Sequence, residues 1–156
     1  MISIEVFLEE KRWNVKLKKP NIFFEKLIKF FPKKYLFVNK KVNLTLLLSN
    51  NRSIKRLNNK FRKKNKPTDV LSFPFNKTFN KKNFLYLGDI IISYDFISMP
   101  KSLTILEFRK KLVKTFIHGF LHLLNYDHIK LKDYKKMNKE EIKIYKFISK
   151  KIEKLI

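Results

Sequence analysis

Residues 104–128, TILEFRKKLVKTFIHGFLHLLNYDH, organise the reading of the whole chain. Thr104 followed at the third position by Glu107 is the pattern of a capping box, in which each side chain satisfies the other residue's backbone N–H. A helix therefore opens here and is expected to run to about Leu124. Glu107, Lys111, Thr115, His118 and His122 recur at three- and four-residue steps, so they share one polar stripe. Leu112, Val113, Phe116, Phe120, Leu123 and Leu124 occupy the opposite arc, which marks the core side. On this reading the two histidines face the open side of the helix.

Working outward, the flanking segments supply strands and further helices. Residues 2–8 (ISIEVFL) alternate apolar and polar, as a strand does. Pro20 opens an apolar-periodic stretch that Pro32 stops, a helix start and stop. Residues 35–48 end in a strand over 42–48, and Ile54, Leu57 and Phe61 then fall at helical spacing. A cationic loop follows, from Arg62 to Pro67. Two apolar strands come next, around Val70–Phe75 and Phe84–Ser93, separated by a Lys/Asn-rich hairpin loop. A last helix spans about Lys132 to Ile152, with Tyr134, Met137, Ile142, Tyr145, Ile148 and Ile152 on one side. The order βαβαββαα points to the α+β class: a single domain over residues 1–156, with a four-stranded mixed sheet packed with about four to five helices.

Composition bounds the function. The chain has 156 residues, sixteen of them Phe, enough to bury a core in one domain. It has no Cys, which excludes disulfides, cysteine zinc sites and a cysteine nucleophile. The N-terminus lacks a basic n-region and is interrupted by Glu5, Glu9 and Glu10, unlike a signal peptide. No apolar run approaches the roughly 18 residues of a membrane span. A cytoplasmic protein with no membrane partner is expected. The formal net charge is +24, an excess that points to a polyanionic partner through counterion release. The same excess is nearly all Lys, with five Arg and abundant Asn, Ile and Phe, a bias that an AT-rich genome imposes without any function.

All three histidines lie in one eleven-residue stretch, His118-x3-His122-x5-His128. A helix stacks His118 and His122 one turn apart, a spacing that lets two imidazoles grip one ion. Asn125 tolerates the left-handed conformation that ends helices and can turn the chain so that His128 supplies a third ligand. Three protein ligands leave one position open, the layout of a catalytic zinc; imidazoles equally suit nickel, iron or copper. The spacing is also that of metzincin proteases. Those enzymes carry a Glu general base directly after the first His, where this chain has Gly119, and a Gly where it has Asn125.

The motif His118-Gly119-x-x-His122-Leu123-x-x-Tyr126-Asp127-His128 resembles the YbeY family of bacterial endoribonucleases, the 16S ribosomal RNA maturation factors. The stretch Leu57-Asn58-x-x-Phe61-Arg62-x-Lys64-x-Lys66-Pro67-Thr68-Asp69-Val70-Leu71-Ser72-Phe73-Pro74 looks like a second signature of that family, and Leu87-Gly88-Asp89-Ile90 like its next strand. The agreement extends over roughly residues 45–140. The resemblance implies a metal-dependent, single-strand-specific endoribonuclease acting in 16S rRNA 3′-end maturation and ribosome quality control. It implies one Zn2+ per chain at His118, His122 and His128, a functional arginine at Arg62, and the 16S rRNA precursor and small ribosomal subunit as partners. Asn125 departs from a usual Gly, and Lys130-Leu131-Lys132 from an often acidic stretch.

Other roles follow from side-chain chemistry. Arg62 can hold a phosphate bidentately, which Lys cannot, and is assigned to the scissile phosphate or its developing charge. Lys63, Lys64 and Lys66 are candidates, with Arg62, for tracking the RNA backbone. Asp127 is the second candidate catalytic residue, as the carboxylate that orients a ligand imidazole or moves a proton. Thr68, Asp69 and Ser72 are expected to fix the turn into the strand at Val70. Phe73 and Phe75 are expected in the core, and Gly119 to permit close approach of backbone or substrate. Metal-assisted phosphodiester cleavage is the expected chemistry. The rival readings are a metalloprotease-like hydrolase and a non-catalytic ribosome-assembly RNA-binding factor with a structural metal.

Overall fold

The structure is a computed structural model that describes residues 1–75 and 84–155. Its four strands are β1 (Ile2–Leu8), β2 (Lys41–Ser49), β3 (Val70–Pro74) and β4 (Phe84–Ser93). They form one sheet in the order β1-β2-β4-β3. β1 runs parallel to β2 and β2 to β4, while β3 is antiparallel to β4, so the sheet is mixed, as expected. The expected Lys/Asn-rich hairpin loop lies outside the described residues.

Six α-helices are present among the described residues: α1 (Trp13–Lys16), α2 (Pro20–Lys29), α3 (Asn51–Arg62), α4 (Tyr94–Ile97), α5 (Ile105–Leu123) and α6 (Leu131–Ser149). Strand alternation sorts them onto two faces. Val42, Leu44, Leu46 and Leu48 of β2 are fully buried, and with Ile90 and Ile92 they pack into the main core shared with α2, α5 and α6. Leu47, Leu71, Phe73 and Ile91 face the other way and meet Ile54 and Leu57 of α3 in a smaller cluster. Phe73 is thus partly buried, as expected of a core residue, whereas Phe75 is 43% exposed and lies beyond the end of β3.

Several expectations need correction. The last helix ends at Ser149, and Ile152 lies in a following 3-10 turn over Ile152–Lys154. Its buried face is Met137, Ile144 and Ile148; Tyr134 and Ile142 are half exposed. α6 is a partner of α5 on the outside of the molecule, so a narrow stripe suffices to seat it. The short helices α1 and α4 were not legible, being single turns held by tertiary contacts, such as the Trp13 indole N–H donating to the Ser49 carbonyl at 3.0 Å. The polar stripe of α5 is not an open side along its whole length. Thr115 is buried, Ile117 and Leu121 are buried as well, and the Lys111 ammonium donates to the carbonyls of Phe96 and Met99. α5 is enclosed on most sides over its second half, and the two histidines are half-buried.

Gly88 interrupts β4 with φ +130°, close to a register irregularity between Asn43 and Thr45 of β2. A Cβ there would overlap the Phe73 carbonyl oxygen and approach the Phe75 nitrogen to 2.9 Å. Gly88→Ala combines a forbidden φ with a backbone collision and should lower unfolding free energy by about 2–3 kcal/mol. Urea denaturation would check this; a variant within experimental error of wild type would remove the steric argument.

Candidate metal centre

The ends of α5 are fixed as the sequence demands. Thr104 Oγ1 accepts the Glu107 N–H at 3.2 Å while the Glu107 carboxylate accepts the Thr104 N–H at 2.8 Å, completing the capping box. At the other end Asn125 takes the left-handed conformation, φ 66°. The Asn125 N–H reaches the His122 carbonyl at 3.0 Å and the Tyr126 N–H reaches the Leu121 carbonyl at 3.1 Å. Those two bonds make a Schellman motif. Asn125 therefore turns the chain at the end of α5.

That turn has a chemical product. It aims the Tyr126 carbonyl at His122, whose Nδ1–H donates to it at 2.9 Å. His118 Nδ1 lies 2.6 Å from Glu141 Oε1 on α6. With Nδ1 of each ring so engaged, a neutral ring carries its lone pair on Nε2, and the two Nε2 atoms are 3.1 Å apart, within hydrogen-bond distance of each other. Such a pair is held together by a shared proton or by a cation between the rings. Two nitrogens on a tetrahedral zinc, each 2.0–2.1 Å from it, are about 3.3 Å apart. Burial, and then the neighbouring His118, lower the His122 pKa from the usual histidine value, which favours the neutral ring.

His128 completes the group. The ring centroids of the three histidines form a triangle with sides of 4.7, 5.0 and 5.3 Å. One nitrogen from each lies within 4.8 Å of the others. His118 and His122 are half-buried while His128 is exposed, so the centre opens to solvent on the His128 side. The donor set, three imidazoles with two oriented by acceptors behind them, fits a divalent ion of borderline character such as zinc.

The other sequence candidates fall as follows. The Asp127 carboxylate accepts the backbone N–H of His128 at 2.7 Å. It thereby holds the backbone of His128. The carboxylate found on an imidazole is that of Glu141, which sequence reasoning missed because it lies on another helix. Arg62 is the last residue of α3 and is exposed, as are Lys63, Lys64 and Lys66. Lys63 ends the helix in the left-handed conformation, φ 58°. Asn58, also missed, is 2% exposed and donates to the Lys66 carbonyl at 2.8 Å, which fastens the cationic loop to α3. The Asp69 carboxylate accepts from the Thr68 hydroxyl and the Val70 N–H, so these two residues do fix the turn into β3. Ser72 does not: its hydroxyl donates to the Gly119 carbonyl at 3.0 Å, tying β3 to α5. A Cβ on Gly119 would meet Ile90, Ser72 and Val70 side chains at 3.0–3.1 Å. Gly119 thus admits the sheet against the helix, and the strand that continues the cationic loop packs on α5 at Gly119.

Comparison with known proteins agrees with this geometry. The family model described as Endoribonuclease YbeY matches residues 5–149. The chain is 63% identical over 152 residues to the Endoribonuclease YbeY of Pelagibacter ubique (strain HTCC1062), covering 97% of this chain and 99% of that protein. It is 38% identical over 145 residues to the protein of the same description from Ehrlichia canis (strain Jake), covering 92% and 90%. A solution structure of a Thermotoga maritima protein is 26% identical, with a TM-score of 0.47 over 98% of this chain and 95% of the other. With a family match over nearly its full length and the three-histidine centre that the sequence motif anticipates, the chain belongs to the YbeY endoribonuclease family.

Proposed function

We propose that this chain is a metal-dependent endoribonuclease that cuts single-stranded RNA and acts on the 16S rRNA precursor in 3′-end maturation and ribosome quality control. Its site of action is then the cytoplasm, with the small ribosomal subunit as partner, and residues 1–156 work as one catalytic domain. The observation that carries the reading is the convergence of His118, His122 and His128 within 4.8 Å on an open face. Zinc, one ion per chain, suits that donor set. When bound, such an ion supplies Lewis acidity to a phosphoryl oxygen.

The chain's own groups do the rest. Glu141 and the Tyr126 carbonyl hold two imidazoles in register. Arg62 presents a planar fork suited to the non-bridging oxygens of the scissile phosphate, where charge develops. Lys63, Lys64 and Lys66 are exposed on the loop that leads into β3, where their charges suit the phosphates of an RNA backbone. Asp127 sets the orientation of His128 through its backbone. A protease reading is disfavoured by Gly119, because the space where a general-base glutamate would start is filled by Ile90, Ser72 and Val70.

The test is cleavage of an end-labelled single-stranded RNA, with casein as control substrate, before and after chelation and after re-addition of Zn2+. Metal-restored RNA cleavage with intact casein is the expected result. Binding of RNA without any cleavage under every metal condition would instead make the chain a non-catalytic assembly factor.

A further inference from the structure

The bond between His118 Nδ1 and Glu141 Oε1 is, at 2.6 Å, the closest contact that either ligand ring on α5 makes to an acceptor. It joins two helices through residues 23 positions apart. Glu141 is one of 13 acidic residues in a chain with 37 Lys and Arg, and it is turned inward to the histidines although lysines surround it on α6. Its neighbour explains how it is held. The Glu140 carboxylate accepts from the Tyr35 hydroxyl and pairs with the Lys34 ammonium at 2.7 Å. Tyr35 in turn is buried against the Phe120 ring of α5, with centroids 6.0 Å apart. Two consecutive carboxylates thus pin α6, one to the 3-10 turn over Lys33–Tyr35 and one to the metal centre.

We infer that Glu141 is a positioning residue that sets metal affinity by locking His118 as the Nδ1–H tautomer, with its Nε2 lone pair committed to the ion. The inference rests on the metal reading given above. A carboxylate behind a ligand imidazole fixes the ring, raises its basicity and adds a negative charge close to the ion. Side-chain exposures of 32% for His118 and 29% for Glu141 leave that charge only partly screened. Nothing comparable stands behind His122, whose acceptor is a neutral carbonyl.

The experiment compares Zn2+ and Co2+ affinity of the full-length wild type, Glu141→Gln and Glu141→Ala by competition with a chromogenic chelator. Melting of the metal-free proteins and the visible spectrum of the Co2+ forms are measured in parallel. Glu141→Ala should bind both ions about 10–100-fold more weakly. Glu141→Gln keeps an acceptor but not the charge, so its loss should be smaller, with a metal-free melting temperature close to wild type. The Co2+ spectrum of Glu141→Ala should change as His118 gains rotational freedom. Should Glu141→Ala fail to fold, the Glu141→Gln affinity decides alone. Wild-type affinity and an unchanged Co2+ spectrum in the variants would overturn the role of Glu141 while leaving the metal centre standing. A wild-type chain that binds neither ion would overturn the metal reading itself.

Discussion

A chain carrying His118→Ala and His122→Ala together should be purified without bound metal and should cleave RNA at least about a thousandfold more slowly than wild type. Three decades in rate correspond to about 4 kcal/mol of transition-state stabilisation, within what a bound ion contributes. The substitutions leave only His128, which is exposed and sits after the turn that ends α5. One exposed imidazole cannot hold a divalent ion in competition with water. The fold should survive, because the core face of α5 is Phe108, Leu112, Val113, Phe116 and Phe120, none of which is altered. Metal content by elemental analysis should fall from about one ion per chain to none. Full occupancy retained in the double variant would mean that the ion sits elsewhere.

Arg62→Lys should slow cleavage about 100-fold while moving the melting temperature by no more than about 2 °C. The charge is kept, so the favourable placement of a cation in the last turn of α3 is kept as well. What is lost is the planar fork that engages two phosphate oxygens at once. Arg62 is exposed and pairs with no carboxylate among the described residues, so folding does not depend on that fork. Single-turnover cleavage alongside thermal melting separates the two roles. Normal cleavage would remove Arg62 from the site, and a collapsed melting temperature would make it a structural cation.

The legible parts of this molecule are those encoded within a few residues. The capping box at Thr104, the turn at Asn125 and the i, i+4 histidines are local patterns, and each stands in the structure where it stands in the sequence. β1 and β4 were readable for the same reason, because alternation and apolar runs carry their own boundaries. What escaped depends on distance along the chain. Glu141 looked like one more surface charge on a lysine-rich helix until α6 was laid against α5. Asn58 looked helical and polar, yet it is buried to hold the Lys66 carbonyl. Gly119 read as a place of close approach for backbone or substrate, and what approaches it is the sheet, through Val70, Ser72 and Ile90. The buried face of α6 was misread because Ile142 and Tyr134 fit a helical period as well as Ile144 does.

The sheet and the metal centre also differ in the order in which a folding chain can assemble them. Ile2 lies opposite Val42 and Lys41 opposite Phe84, so each parallel pairing closes a long loop before any hydrogen bond rewards it. Topologies of this kind fold slowly, because the entropy of closure is lost first. The three histidines, by contrast, lie on one helix and the turn that follows it, and His122 finds its acceptor only four residues away at Tyr126. α5 can bring its histidines together as a local event, on the timescale of a helix and not of a sheet. An ion taken up at that stage favours every partly folded form in which α5 has already turned back at Asn125. By the same measure Glu141, 23 residues from His118, has a shorter loop to close than either parallel strand pairing, so its bond to the ring need not wait for the sheet.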